Sequence, residues 1–228
     1  MQKFFECIHP EGWRFFGIFA AFTFLLYFIS LPLFWVGIVL TLWCAYFFRD
    51  PKRVTPTDPN LVVSPADGKV VIVKKMVPPS ELDLGNEELY RISIFLNVFD
   101  VHINRVPVAG LISRILYYPG KFFNASLDKA SEHNERNAVV IETEKGQKVC
   151  VIQIAGLIAR RIVTFVKQED KMKPGQRFGL IRFGSRADVY LPRGVTPKVM
   201  VGQYMIGGES ILANLDDIDA ALPNGIEQ

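Results

Sequence analysis

Cysteine is scarce in this chain, and so is histidine, with three of each in 228 residues. Cys7, Cys44 and Cys150 are scattered without a CxxC pair, and one of them lies in an apolar run. That argues against a zinc site and against a disulfide framework, and it fits a reducing compartment. With His9, His102 and His133 the only histidines, proton-transfer chemistry by imidazole has few candidates. Clustered positive charge is missing too. Lys and Arg number 26 against 23 Asp and Glu, a net charge of +3 with no basic block, which gives nucleic acid no foothold. No low-complexity tract or usable internal repeat is present. At this length the chain holds one substantial domain plus an appendage.

The sharpest local absence is of charge between residues 15 and 48, where most side chains are Phe, Leu, Ile, Val, Ala or Trp. A helix crosses the hydrocarbon core in about 20 residues at ~1.5 Å each. The run is therefore too long for one span and a little short for two with a generous turn. Ser30, Leu31 and Pro32 interrupt it, and Pro breaks a helical hydrogen-bond ladder. The expected structure is a tight helical hairpin over 13–29 and 33–48, with one kinked helix as the alternative. Trp13, Tyr27, Trp43 and Tyr46 suit interfacial positions. Lys3 and Arg14 before the run, with Arg49, Lys52 and Arg53 after it, suit a hairpin whose ends both face the cytoplasm. A cleaved signal peptide fits poorly, because the run is too long and no small-x-small site follows. Residues 1–50 thus read as a membrane-associated helical segment, and the proline-rich 51–59 as a linker leaving the bilayer.

Downstream the chain turns to short β-like runs separated by Gly, Pro, Asn and Asp: 69–76, 90–96, 110–117, 138–144, 148–154 and 161–165. Residues 144–147, containing Lys145 and Gly146, read as a hairpin turn. Helical patterns are credible only near 79–88 and 216–222. The expected fold is mainly β (α+β), a compact β-barrel or sandwich over 51–228 carrying the N-terminal hydrophobic helical hairpin. Two more β-like runs, 177–183 and 186–191, meet at Gly184–Ser185 in RFGLIRFGSRADVYLP. A plain hairpin turn is one reading of that pair. The other is reactive: glycine permits close approach to its carbonyl, and the next side chain carries a hydroxyl that can fold back onto it.

The stretch around Gly184–Ser185 resembles the self-cleavage site of phosphatidylserine decarboxylase proenzymes of the short prokaryotic type. Seven other segments resemble the same family in the same order: FFRDPKR (47–53), VSPADGKV (63–70), FDVHINRVP (99–107), YYPGKFFNAS (117–126), NERN (134–137), QIAGLIARRIV (153–163) and VGQYMIGGESILA (201–213). The resemblance implies a pyruvoyl-dependent carboxy-lyase that converts phosphatidylserine to phosphatidylethanolamine and CO2 in phospholipid biosynthesis. It implies autocatalytic serinolysis of the Gly184–Ser185 bond, giving a large chain 1–184 and a small chain 185–228 that stay together as a heterodimer. Ser185 would become the covalent pyruvoyl cofactor and work through a Schiff base, with no metal and no pyridoxal phosphate. The expected location is the cell (inner) membrane, with the catalytic domain on the cytoplasmic side. A higher homo-oligomer is compatible, and no nucleic-acid partner is implied.

By the same resemblance Asp67 belongs to the self-cleavage machinery, supporting a histidine base as a triad carboxylate does. Read locally, 64–68 is a rigid turn and needs no further role. His102 is the best candidate for that base and for returning a proton to substrate, although a lone histidine in a strand is often structural. Asp100, His102 and Asn104 alternate with apolar residues, so a strand would show all three on one face. Longer family members carry a second histidine three residues on, where this chain has Arg105. Arg105 cannot be a base near neutrality, but it can bind a carboxylate or phosphate. Arg160 is the second candidate for the head group, with a solvated basic patch at 160–161 as the alternative. Phe95, Phe99, Phe122 and Phe123 could line an apolar wall or touch lipid, or simply pack in the core. Two other functions remain open at this point. One is a catalytically silent, membrane-anchored β-barrel adaptor; the other is a Ser185-dependent hydrolase using His102 and Asp67.

Overall fold

The computed structural model describes residues 8–120, 134–156, 161–182 and 185–225. They fall into two compact units, Met1–Lys52 with Phe99–Val101, and Arg53–Val98 with His102–Gln228.

In the first unit, α1 (Pro10–Tyr27) and α2 (Leu31–Phe47) form the expected hairpin. Each starts earlier than the apolar pattern suggested because its proline occupies the first turn, where the missing N–H would be unbonded anyway. The seam is made of small and polar residues. Gly12, Thr23, Gly37 and Thr41 are buried, the Thr23 and Thr41 hydroxyls lie 3.0 Å apart, and Thr41 donates to the Gly37 carbonyl at 2.8 Å. A Cβ on Gly37 would stand 2.7 Å from Thr23 Oγ1, so glycine is what lets the helices approach there. Large apolar side chains point outward instead, among them Ile18, Phe24, Phe28, Trp35 and Val39. This is the reverse of a water-soluble hairpin. Among the described residues no helix is long and apolar enough to cross a membrane. Arg49 closes the unit by donating to the carbonyls of Tyr46 at 2.9 Å and Phe99 at 2.7 Å, with its guanidinium over the Tyr46 ring.

The second unit is β, as the alternating pattern predicts. Its strands are β1 (Leu61–Val63), β2 (Gly68–Met76), β3 (Leu89–Leu96), β4 (Ile103–Arg105), β5 (Gly110–Tyr118), β6 (Arg136–Glu142), β7 (Lys148–Ala155), β8 (Ile162–Thr164), β9 (Lys171–Met172), β10 (Arg177–Ile181), β11 (Ser185–Tyr190), β12 (Val195–Pro197), β13 (Tyr204–Met205) and β14 (Ile211–Ile218). An eight-stranded antiparallel sheet runs β13-β2-β3-β11-β7-β6-β5-β9, with β11 near its middle. Two three-stranded sheets, β1-β14-β12 and β4-β10-β8, contribute Val62, Leu212, Val195 and Phe178 to the core that the large sheet's inner face also lines. The outer face of the large sheet carries a second cluster around Ala138, Val140, Cys150, Ile152 and Tyr190.

The turn at 144–147 is present, with Gly146 at φ +77° between β6 and β7. Neither expected helix in this unit is. In 79–88 only a 3-10 turn, Ser80–Leu82, forms before Asp83 and Gly85 adopt positive φ and end it. Residues 216–218 continue β14 as a strand, and Ile218 pairs with Val195. The plain-hairpin reading of Gly184–Ser185 also fails. β10 pairs with β4 and β8, β11 pairs with β3 and β7, and the two strands belong to different sheets.

Candidate active site

Ser185 is the first residue of β11, opposite Leu96 of β3 and Ala155 of β7. Strand alternation sends Ser185, Ala187 and Val189 to the inner core and Arg186, Asp188 and Tyr190 to the outer face. The Ser185 side chain is fully buried, and its Oγ has no hydrogen-bond partner among the described residues. A buried polar atom left in that condition costs about 1–3 kcal/mol. On the outer face the neighbouring residue is fully engaged. Arg186 grips Asp188 through two bonds, Nε to Oδ1 at 2.8 Å and Nη2 to Oδ2 at 3.0 Å, and Arg91 Nη1 lies 3.9 Å from the same carboxylate. All three are essentially inaccessible. Burial, with Asp188 nearby, raises the Cys150 thiol well above its usual range and keeps it a neutral packing group.

His102 immediately precedes β4 and is fully buried. Its carbonyl accepts from the Ile181 amide at 3.2 Å at the end of β10, four residues before Ser185 in the chain. The strand expected to carry Asp100, His102 and Asn104 spans only Ile103–Arg105, so Asp100 is not on it. Asp100 belongs to the helical unit. Asn104 is buried on β4, where its Oδ1 accepts from Gln153 Nε2 at 2.8 Å. Gln153 Oε1 in turn accepts from Asn137 Nδ2 at 2.9 Å, and the same amide reaches Thr164 Oγ1 at 3.1 Å.

Asp67 sits in the turn that precedes β2. The turn is held from both sides: Arg105 N–H donates to the Pro65 carbonyl at 2.8 Å, and Gly208 N–H donates to the Ser64 carbonyl at 2.7 Å. Gly68 is obligatory at its end, with φ +147° and a Cβ position only 2.2 Å from the Phe95 carbonyl oxygen. Both oxygens of the Asp67 carboxylate are occupied. Arg53 Nη2 donates to Oδ1 at 2.9 Å and to Oδ2 at 2.7 Å, and the Gly207 amide donates to Oδ1 at 2.7 Å. Arg105 is buried and donates Nη1–H to the Gly175 carbonyl at 2.8 Å.

The fold thus brings the 64–68 turn, the 102–105 segment and the 207–208 loop into one cluster, and β10 links that cluster to Ser185. Arg160, Gly184, Phe122 and Phe123 lie outside the described residues. Phe95 is half-buried, and Phe99 is exposed on the helical unit. His9 caps α1 by accepting from Glu11 N–H at 3.3 Å, a structural role. Sequence reasoning missed Arg53, which looked like a flanking positive charge, and the Gly207 amide, whose Gly-Gly pair was the available signal. It also missed the Gln153–Asn137 partnership, because a separation of 16 positions in sequence hides it. Among the described residues no group of His, Cys, Asp and Glu is arranged to hold a metal ion.

This chain matches the model of a known protein family, described as phosphatidylserine decarboxylase, over residues 40–213. A phosphatidylserine decarboxylase proenzyme of Ruegeria pomeroyi is 58% identical over 214 residues, covering 94% of this chain and 98% of the relative. A protein of the same name from Cereibacter sphaeroides is 53% identical over 220 residues, covering 96% and 95% respectively.

Proposed function

This chain belongs to the phosphatidylserine decarboxylase family and removes the carboxyl group of phosphatidylserine as CO2, and we propose that it does so with a pyruvoyl group made from its own Ser185. The observation that carries this reading is the buried Oγ at the start of β11, which has no partner among the described residues. A hydroxyl that neither packs as a hydrocarbon nor satisfies its hydrogen bonds is poorly explained as structure and well explained as a nucleophile. Its fit to the group is direct, since the pyruvoyl is built from the atoms of residue 185 itself.

The processing step balances as follows. Ser185 Oγ adds to the Gly184 carbonyl carbon while His102 takes the hydroxyl proton. Collapse breaks the C–N bond, and the proton passes to the released nitrogen, leaving an ester. Removal of the Ser185 α-proton expels the Gly184 carboxylate as the end of the large chain. The dehydroalanine left behind takes up water, loses ammonia and becomes the ketone. That ketone supplies the electron sink that a departing carboxylate requires. Asp67, fixed by Arg53 and the Gly207 amide, is the negative charge that supports His102 while it holds the proton. His102 then returns a proton to the substrate α-carbon, and Arg105 and Arg160 are the cations for the head group.

The chains 1–184 and 185–228 remain together because β11 hydrogen-bonds to β3 and β7 along its whole length, and all three strands share the core. The exposed large apolar side chains of the inverted hairpin support a seat in the acyl region of the membrane, with the positive flanks at the cytoplasmic surface. Carboxyl-labelled phosphatidylserine tests the reading. Ser185→Ala is expected to abolish both chain cleavage and release of labelled CO2, and His102→Ala to slow cleavage by ~10²–10⁴-fold. Label release by an uncleaved Ser185→Ala chain would contradict it.

A further inference from the structure

Against the inner face of the large sheet, bonded to Gln153 from β4 of a separate three-stranded sheet, lies a second buried polar group that the processing scheme has not used. Asn104 is fully buried, and its Nδ2, like Ser185 Oγ, has no hydrogen-bond partner among the described residues. The orientation of this amide is coupled to that of its neighbours. Asn104 Oδ1 accepts from Gln153 Nε2, and Gln153 Oε1 accepts from Asn137 Nδ2, which also donates to Thr164 Oγ1. Turning the Asn104 amide over alone would set its nitrogen against the Gln153 nitrogen, donor against donor. In this arrangement the N–H bonds of Asn104 Nδ2 have no acceptor among the described residues. Room for it is provided by Gly179 of β10, which pairs with Asn104 and whose Cβ would stand 2.7 Å from Gln153 Nε2.

The sheet register ties this donor to the nucleophile. Ser185 faces Ala155, and Gln153 lies two residues along β7 on the same face, opposite Ala187. Such diagonal neighbours are about 7–8 Å apart at Cα, within the reach of a long side chain. Gln153 thus stands beside Ser185 and hands its Nε2–H to Asn104. Ser185 Oγ and Asn104 Nδ2, both buried and both without a partner among the described residues, are thus each tied to Gln153, one by sheet register and one by a hydrogen bond. An oxyanion would satisfy the donor.

We propose that Asn104 Nδ2–H donates to the oxyanion formed when Ser185 Oγ adds to the preceding carbonyl carbon, with Gln153 and Asn137 as positioning residues that hold the amide donor-forward. As the Oγ–C bond forms, the carbonyl π electrons move onto oxygen and Asn104 binds that oxygen. When the C–N bond breaks, the carbonyl re-forms and the donor is released. The proposal rests on the reading of Ser185 as the self-cleaving residue.

The test follows cleavage of the full-length chain in detergent by intact mass, with and without hydroxylamine, which cuts esters but spares the peptide bond. Asn104→Asp keeps the shape and the acceptor but puts an oxygen where the donor was. It should slow cleavage by ~10²–10³-fold, as loss of one oxyanion donor does, with no hydroxylamine-sensitive ester accumulating. Gln153→Glu, which cannot donate to Asn104 Oδ1, should slow cleavage less and by the same pattern. Cleavage at the wild-type rate would overturn the proposal, and so would build-up of ester, which would place Asn104 in the later elimination. If Asn104→Asp does not fold, Asn104→Ser, which retains an O–H donor, must process faster than Asn104→Ala; equal rates would overturn it. A wild-type chain that never cleaves would overturn the Ser185 reading instead, so the two failures are distinguishable.

Discussion

Ser185 and Arg186 are neighbours on one strand, equally buried, and their polar atoms have opposite fates. Arg186 faces the outer side of the sheet and is held by Asp188 through two short bonds, with Arg91 close by. Ser185 faces the inner side, and its Oγ bonds to nothing among the described residues. The difference teaches how a strand can be both anchored and reactive. Charge-assisted bonds on one face fix the position of the strand. The other face leaves Ser185 Oγ, the proposed nucleophile, without a hydrogen bond among the described residues. The two requirements do not compete, because strand alternation separates them.

Breaking the outer face should therefore affect stability first. Asp188→Asn removes the carboxylate charge that Arg186 holds through two bonds, and removing one partner of such a buried pair destabilises by about 3–5 kcal/mol. Denaturant unfolding of the otherwise intact chain should show that loss, while the folded fraction cleaves within a few-fold of the wild-type rate. A folded Asp188→Asn chain that fails to cleave would collapse the distinction between the faces.

A smaller effect belongs to the Asp67 turn on the inner side. Arg53→Gln removes the guanidinium that touches both oxygens of Asp67, and both side chains are only 12% exposed. Cleavage should slow on the order of tenfold, or ~1.4 kcal/mol. The same change in an Asp67→Asn background should add little, because the partner charge has gone. Additive losses, measured by cleavage time courses of the four chains, would show that Arg53 acts elsewhere.

The sequence made some of this visible and hid the rest for physical reasons. Alternating apolar residues announced the large sheet, whose strands β3, β7 and β11 bury at least one face. The Ser30–Pro32 break marked the helical hairpin, though a proline in the first turn starts a helix and does not interrupt one. Residues 216–218 looked helical because Asp-Asp-Ile carries little local β signal, and pairing with Val195 from across the chain decided the outcome. Gly184–Ser185 looked like a turn because turn chemistry is local, whereas the assignment of β10 and β11 to different sheets is not. In the site, Ser185, His102 and Asp67 stood out by motif. Arg53 and the Asn104–Gln153–Asn137 relay could not, since their meaning lies in contacts that only the fold creates.

The most direct test of the central claim, that residue 185 is both the cutting nucleophile and the source of the carbonyl, is an intact-mass spectrum of the purified protein before any substrate is added. The account predicts two chains meeting at Gly184 and Ser185, the small one blocked at its N-terminus and lighter by one ammonia than a serine-initiated chain. A single uncut chain, or a small chain that begins with an ordinary serine, would contradict it.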